Sequence, residues 1–278
     1  MIVRRLFNRR WLATTLLVIL AVGVMIRLGV WQLDRLHQRR AFNARVEAQI
    51  AQPELDLNAS TTGAELASME YRKVSVKGKY IPSGEVALRN QAWQNQIGVH
   101  LITPLKITGT DRIVLVDRGW ISYEDFSSGD WSKFSEPGMV EVHGVIRNTQ
   151  QKPRFSFGLF SNPSSGQGTL PVWSFIDIPA ISDYISMSLL PIYVQQAPDP
   201  AWTGLPYRSQ PDLELTEGPH MGYALQWFSF AALLGLGYPF YVRHEESNDS
   251  SDEKKSSKNL NLKAQNQYVR VGERKDRK

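Results

Sequence analysis

Two long apolar runs at opposite ends of the chain constrain its fold more than any other feature of the sequence. The first extends from Trp11 to Val30 and the second from Gly222 to Val242. The hydrocarbon core of a bilayer is about 30 Å thick and takes about 20 helical residues to cross, which is the length of each run. The pattern predicts a hairpin of two transmembrane helices, one N-terminal and one C-terminal, that encloses a single extramembrane domain.

Lysine and arginine residues collect on the terminal side of both runs. Four arginines lie within residues 1–10, and ten lysines or arginines lie within residues 243–278. The central region, 31–219, instead carries 17 basic and 20 acidic residues. Because cytoplasmic flanks are enriched in Lys and Arg, we expect cytoplasmic termini and an extracytoplasmic central domain. The basic tails suit anionic membrane lipids, whereas the central domain lacks the basic stripe of a nucleic-acid-binding protein.

The N-terminal run has a second interpretation as a cleaved signal peptide. Basic residues before an apolar stretch are typical of such peptides, and Arg4–Phe7 resembles part of a twin-arginine export signal. The run exceeds the roughly 7 to 15 residues of a signal core, and it continues into a helical pattern from Trp31 to Ile50. We therefore favour an uncleaved anchor. No acid-poor transit peptide precedes it, which favours a multi-pass protein of the bacterial cytoplasmic membrane over a mitochondrial one.

These features divide the chain into six segments. A basic cytoplasmic leader and the first transmembrane helix are followed by a juxtamembrane helix that Pro53 ends. A β-rich extracytoplasmic domain then leads to the second transmembrane helix and to a Lys-, Glu- and Ser-rich tail that we expect to be disordered. The chain contains no cysteine, which excludes disulfides, thiolate metal sites and thiol redox chemistry. The expected bounds of the six segments are 1–10, 11–30, 31–52, 53–219, 222–242 and 243–278.

Seven short segments in the central domain predict β-strands. Turn-forming residues such as Pro82–Gly84 and Thr108–Asp111 separate them. Many short strands joined by short turns are typical of an antiparallel barrel or sandwich, so the expected fold class is membrane α plus β. One short helix is expected from Pro179 to Ser188. The predicted strands are Tyr71–Ile81, Glu85–Arg89, Ile97–Ile107, Ile113–Ile121, Val140–Ile146, Val172–Ile176 and Ile192–Val194.

The sequence contains few candidates for catalysis. Its five histidines are not spaced with another histidine or a carboxylate as metal ligands are. There is neither a Gly-rich phosphate loop nor a Gly-x-Ser-x-Gly elbow. The segment Asp117–Trp120 ends an apolar strand and resembles a site, but a salt-bridged turn is the simpler explanation. We therefore do not expect an enzyme.

His220 is the most site-like of the histidines. It stands at the outer end of the second apolar run, and Tyr223, Ala224, Trp227 and Ala231 follow it on one helical face. Neutral imidazole is a good iron ligand, and small residues let another helix or a flat ligand come close. The alternative is an interfacial histidine that caps the helix or binds a lipid head group.

A stripe of Arg27, Trp31 and Arg35 marks the outer end of the first run. These residues lie at i, i+4 and i+8 and so share one helical face. Two cations beside an aromatic ring could hold carboxylates or an anionic head group. The alternative is a juxtamembrane stalk in which Arg27 extends its charged end to the membrane surface.

Six short motifs are informative as an ordered set. They are Trp31-Gln32-Leu33-x-Arg35, Tyr71-Arg-Lys-Val74-x-Val76-x-Gly78-x-Tyr80, Thr103-Pro104-Leu105, Val114-Leu-Val-Asp-Arg118-Gly119-Trp120, Pro191-x-Tyr193-Val194 and His220-x-x-Tyr223-Ala224-x-Gln226-Trp227-Phe228. In order and placement within a two-span chain, this set resembles the Surfeit locus protein 1 family of cytochrome c oxidase assembly factors, over residues 12–242. The chain departs from the family twice: Asp117 stands where Asn is common, and Pro219 stands where Asn often precedes the histidine.

The resemblance implies an assembly factor for cytochrome c oxidase. Family members help to mature subunit I of the oxidase, and some bacterial members are thought to bind haem a. His220 matches the family's proposed haem-contacting histidine and would be a ligand of the haem iron. The chain would then bind haem a transiently and assist its delivery to or insertion into subunit I, with haem a synthase as a further partner. The residues that would hold the haem are His220, Tyr223, Trp227, Arg27, Trp31 and Arg35.

Two alternatives stay open at this stage. The first is a membrane adaptor whose β-rich domain stabilises a folding oxidase subunit and never binds haem. The second is an uncharacterised enzyme of the cell envelope. Haem absorption by the purified protein would separate the carrier from the adaptor, and turnover without the oxidase would favour the enzyme.

Overall fold

The computed structural model describes residues 6–59, 63–150, 170–211 and 213–275, with side chains as far as Ser251. The chain divides into two compact units. The helical unit comprises Met1–Ala41 and Thr216–Lys278, and the β unit comprises Phe42–Leu215. Arg4 and Arg5 of the predicted basic leader lie outside the described residues.

The first helix, α1, extends without a break from Leu12 to Ile50. It joins the predicted first span to the predicted juxtamembrane helix and ends shortly before Pro53, as expected. In the part of the chain that the structure describes, α1 is the one helix with the length and apolar composition to cross a membrane, and only 11% of its most apolar stretch is buried. Its apolar surface therefore faces outward, which supports a membrane anchor.

The last helix, α5, extends from His220 to Lys275 and differs from the prediction in two ways. The predicted second span, 222–242, is less apolar than the first and lacks the apolar composition of a membrane-spanning helix, because Gln226, Ser229 and Pro239 interrupt its apolar residues. The helix also continues through the tail that was expected to be disordered. No proline or glycine between Val242 and Gly272 stops it.

Helices α1 and α5 contact each other along a face of small side chains. Ala224 and Ala231 are buried there. Gly29 lies against Phe228 so closely that a Cβ atom at Gly29 would come within 2.6 Å of the phenyl ring. Near the other end of the pair, the Thr15 hydroxyl lies 2.8 Å from the Tyr238 hydroxyl. Small residues allow this close packing of two helices.

The β unit is built on a closed barrel of five strands. In chain order these strands are β2, β4, β5, β6 and β8, and around the barrel they follow the order β2-β6-β8-β5-β4, with β4 pairing back onto β2. All seven predicted strands are present. Their bounds, with those of the short β1, are Leu55–Asp56 (β1), Lys73–Tyr80 (β2), Val86–Trp93 (β3), Gln96–Ile107 (β4), Ile113–Ser122 (β5), Val140–Asn148 (β6), Val172–Trp173 (β7) and Leu189–Gln196 (β8).

The barrel is mixed, and this corrects the prediction of an antiparallel one. Strands β5 and β8 pair in parallel, whereas the other four pairings of the barrel are antiparallel. The parallel pair requires a crossover, because the chain must return to the same end of the sheet. Part of that connection is α4, Ile178–Ile185, which corresponds to the predicted helix from Pro179. Two further short helices, α2 and α3, occupy Gly63–Leu66 and Tyr123–Ser127.

The side chains that point into the barrel are apolar in its middle and polar at one end. Apolar residues such as Val76, Leu105 and Val116 are fully buried in the main core. In β4 and β5, the side chains two residues from Leu105 and Val116 toward one end of the barrel are those of Thr103 and Arg118, which are also buried. We call this end of the barrel, with the residues that cover it, the barrel mouth.

A bulge in β5 positions the residues of the barrel mouth. Leu101 of β4 pairs with Gly119, but the next residue, Ile102, pairs with Asp117, so Arg118 is an extra residue in β5. Gly119 has a φ of +115°, and a Cβ atom there would overlap the carbonyl oxygen of Tyr207. Tyr207 comes this close because its backbone exchanges two hydrogen bonds with Trp120.

The variant Gly119→Ala should therefore destabilise the β unit by at least about 2 kcal/mol, since it adds both backbone strain and a steric overlap. The matched control is Gly109→Ala. Gly109 also has a positive φ of +78°, but a Cβ atom there would meet nothing within 4 Å, so only the backbone strain of about 1 kcal/mol is expected. Thermal unfolding of the purified variants measures the difference, and equal losses would contradict the close approach of Tyr207.

Candidate functional site

The structure places His220 at the first position of α5, beside Gln32 of α1. Its Nδ1 atom lies 2.9 Å from Oε1 of Gln32. With that oxygen as the acceptor, the proton is held on Nδ1, and Nε2 keeps a lone pair that could bind a metal ion. Gln32 was part of a quoted motif but was not predicted as a site residue. The contact of Gln32 with His220 depends on how two helices pack, so no local pattern in the sequence predicts it.

The aromatic residues that follow His220 do not share its environment. Ala224 and Ala231 of the predicted helical face are buried. Tyr223, in contrast, is 49% exposed. Trp227 is half-buried and packs edge-on against Phe230, with ring centroids 6.3 Å apart. The two rings are thus available at the surface of the helical unit rather than enclosed in it.

The residues of the predicted stripe all lie on α1, and two of them contact each other. The Arg35 guanidinium lies 5.6 Å from the centre of the Trp31 ring, and it also donates a hydrogen bond to Gln38. Arg27, Trp31 and Arg35 are all exposed. The contact with His220 is made by Gln32, which is adjacent in sequence to Trp31 but lies on another helical face. The six predicted residues therefore form two neighbouring groups and not one closed pocket.

A second candidate site, absent from the predictions, is the barrel mouth. The Arg118 guanidinium is buried and bonds two carboxylates: its Nη1 lies 3.1 Å from Glu85 and its Nη2 lies 2.9 Å from Glu136. It also donates to the carbonyl oxygen of Phe134. The Glu85 carboxylate accepts a further hydrogen bond from the buried Thr103 hydroxyl. Buried ions are tolerated only when they are paired in this way.

Aromatic rings and a second arginine complete the mouth. Tyr80 lies under the Arg118 guanidinium, 4.9 Å away. Burial, and then the negative charge of Glu136, raise the pKa of the Tyr80 hydroxyl, which therefore stays protonated. Arg208 bonds the other oxygen of Glu136 at 3.2 Å and stacks on Trp202. Above these residues is a cavity of about 450 Å³.

A buried histidine–aspartate contact links β4 to β5 beside the bulge. Nδ1 of His100 lies 3.0 Å from both oxygens of Asp117, and Asp117 also accepts a hydrogen bond from the amide of Gly119. Burial would lower the pKa of His100, but the charge of Asp117 and its hydrogen bond outweigh that effect and raise it. The segment Asp117–Trp120 is salt-bridged through Arg118, but it lies within β5 at the bulge and does not form the turn that the simpler interpretation assumed. Its partners were missed because they come from other strands.

The described residues offer little support for a metal site built from protein side chains alone. They contain no cluster of three or more histidine or acidic side chains that could hold an ion. His220 could supply at most one ligand, so a metal bound there would have to arrive with its own ligands, as haem iron does.

Comparison with known proteins points to one family. The SURF1 family model matches residues 19–232. A SURF1-like protein of Rickettsia felis is 28% identical over 237 residues, which cover 83% of this chain and 97% of that protein. A SURF1-like protein of Caenorhabditis briggsae is 23% identical over 246 residues, which cover 81% of this chain and 74% of that protein. The matched region begins within α1 and includes the whole β unit and the start of α5.

The His100–Asp117 pair should make stability depend on pH. Because the folded-state pKa of His100 is raised, its stabilising contribution is complete below the unfolded pKa of about 6.5 and is lost as the pH rises through the folded pKa. The variant Asp117→Asn should therefore lower the unfolding temperature more at a pH of about 5.5 than at about 8.5. In a His100→Gln background that difference should vanish. An equal loss at both pH values would show that the pair is not ionised.

Proposed function

The chain belongs to the SURF1 family, and on that premise we propose that it is an assembly factor for cytochrome c oxidase that binds haem a at the outer end of the α1–α5 pair. The observation that carries the proposal is the His220–Gln32 hydrogen bond. It gives the imidazole one defined tautomer and orientation, as the partners of metal-bound histidines commonly do.

The residues around His220 suit the other parts of a haem. Tyr223 and Trp227 offer exposed and half-buried aromatic surface on the same helix, which can pack against a flat macrocycle. Arg35, held over Trp31, and the exposed Arg27 offer positive charge to carboxylates such as the haem propionates. An exposed and only partly assembled site favours transient binding, which suits a protein that hands its cofactor to oxidase subunit I.

The proposal assigns no chemical step to the chain. A bound haem would supply the redox and ligand chemistry of the oxidase after transfer. The chain's own residues would bind the haem, orient it through His220, and release it. The two departures from the family pattern affect this site differently, since Pro219 precedes His220 directly whereas Asp117 lies in the β unit and is paired with His100.

We also propose that the first part of α5 lies in the membrane beside α1. Large apolar side chains along it are exposed, including Leu225, Leu233, Leu236 and Phe240. Hydrogen bonding of its Tyr238 to Thr15 and the buried alanines show that it packs on the anchor. In this arrangement both termini are cytoplasmic and the β unit is extracytoplasmic, in the cytoplasmic membrane of a bacterium.

One specific observation supports the alternative function, that of an adaptor that stabilises a folding oxidase subunit. Ile97 is 72% exposed and lies near the turn between β3 and β4. The exposed ring of Tyr207 stacks with the half-buried Trp93 and with the buried Trp120, at centroid distances of 5.6 and 6.1 Å. Exposed apolar and aromatic surface of this kind is typical of protein contacts, and a folding oxidase subunit is the natural partner.

Topology can be tested with fusions to a reporter that is active only outside the cytoplasm. A fusion after Pro211 should be active, and a fusion after Ser257 should be inactive, because α5 would return the chain to the cytoplasm. Activity at both sites would show that α5 stays outside, and the anchor would then be α1 alone.

The haem proposal is tested by His220→Ala. After co-expression with haem a synthesis, this variant should lose most of its bound haem and show a shifted absorption spectrum, because an axial ligand is gone. The control is His37→Ala, which changes an exposed histidine on α1 and should leave the spectrum unchanged. The variant Gln32→Leu should weaken binding by about tenfold, since it frees the imidazole to rotate.

A full and unshifted haem spectrum in His220→Ala would rule out the ligand role. If oxidase activity nevertheless fell in that variant, the adaptor function would replace the carrier function. If the unaltered protein bound no haem under these conditions, the carrier function would likewise be rejected.

A further inference from the structure

We propose that the barrel mouth is a binding site for a small organic molecule that carries a carboxylate on an apolar or aromatic body. This site is separate from the one at His220 and does not depend on haem. The mouths of β-barrels are frequent sites of small-molecule binding, and the cavity volume of about 450 Å³ falls within the usual range for such sites.

The charges of the mouth favour an anion. Both buried carboxylates are already neutralised, Glu85 by Arg118 and Glu136 by Arg118 and Arg208. A cationic ligand would have to compete with these arginines for the same oxygens. Lys79 adds an exposed positive charge to the cavity lining, so the field in the cavity favours a negative ligand.

Two buried hydrogen-bond donors at or near the barrel mouth have no acceptor. Among the described residues, Nε1 of Trp131 is buried and has no hydrogen-bond partner, and the same holds for Nε of Arg208. Trp131 lines the cavity, and Arg208 bonds Glu136, which also lines it. A buried donor without an acceptor is costly. A ligand whose acceptor oxygen reached the Trp131 N–H would remove that cost, and a carboxylate supplies two such oxygens.

The remaining walls favour an apolar body. Tyr80, Pro82, Pro137 and Leu170 line the cavity beside Trp131. These side chains place two aromatic rings and three aliphatic groups around the charged floor of the cavity, which consists of Arg118, Glu85 and Glu136. Binding pockets commonly combine such mostly apolar walls with a few polar groups that fix the orientation of the ligand. The floor is also prearranged, because Arg118 is held by three different groups before any ligand arrives.

The ligand class can be tested with three probes of similar shape and different charge: 4-fluorobenzoate, 4-fluorobenzamide and 4-fluorobenzylamine. Their binding to the purified full-length chain in detergent is followed by ¹⁹F NMR line broadening, which detects dissociation constants in the millimolar range, about −4 kcal/mol in binding free energy. We expect 4-fluorobenzoate to bind at least about tenfold more tightly than the neutral amide, and the amine not to bind. Equal binding of all three, or tighter binding of the amine, would overturn the proposal, as would no broadening of 4-fluorobenzoate at about 10 mM.

Two pairs of variants locate the site. Trp131→Phe keeps an aromatic ring and removes the unpaired N–H, so benzoate binding should weaken by about tenfold. Trp173→Phe is its control, because Trp173 also has a buried Nε1 without a partner but lies in another cluster, away from the cavity. Lys79→Gln should weaken binding mainly at low salt, whereas Lys106→Gln, at a lysine paired with Asp111 outside this cavity, should not.

Benzoate binding by the variants also decides whether the probe binds in the barrel mouth. If Trp131→Phe and Trp173→Phe change benzoate binding equally, the probe does not bind in the barrel mouth. Circular dichroism of each variant checks that the β unit is folded. The haem spectrum of these variants should equal that of the parent, so failure of this proposal and failure of the haem proposal are distinguishable.

Discussion

The β unit depends on one buried guanidinium. Arg118 joins Glu85 just before β3, Glu136 and the carbonyl of Phe134 from the segment between β5 and β6, and the ring of Tyr80 at the end of β2. It thereby holds four separate parts of the chain at one end of the barrel. Removing one partner from such a buried network typically costs about 3–5 kcal/mol, because it leaves an unpaired charge. Several bonds at once therefore fix the position of the Arg118 guanidinium at this end.

The bulge beside Arg118 explains why so many polar groups meet at one place. An extra residue in β5 lets Arg118 face the barrel mouth while Asp117 faces His100 on β4. Gly119 then permits the backbone of Tyr207 to pair with Trp120. Bulges often redirect side chains near functional sites. Here a single bulge generates the ion pair, the floor of the cavity and the aromatic stack of Trp93, Tyr207 and Trp120.

The helical unit differs from the β unit because few of its side chains are buried. Its contacts are the small-residue packing of α1 on α5 and a few specific hydrogen bonds, among them the one from Gln32 to His220. Side chains that could meet a ligand stay at its surface. The barrel mouth differs, because its Arg118 is enclosed and held by three different groups.

Local pattern alone determined the strands of the barrel, the continuous helix α1 and the short helix α4, because alternation of apolar residues and the positions of proline are properties of neighbouring residues. It could not determine that β4 closes on β2, that β5 and β8 are parallel, or that the tail continues α5. The candidate sites show the same limit. His220 was found from its place at the end of an apolar run, but Gln32 is 188 residues away along the chain, and His100 meets Asp117 only across a bulged strand pair. Strand register and helix packing decide such contacts, and both are set by the tertiary structure as a whole.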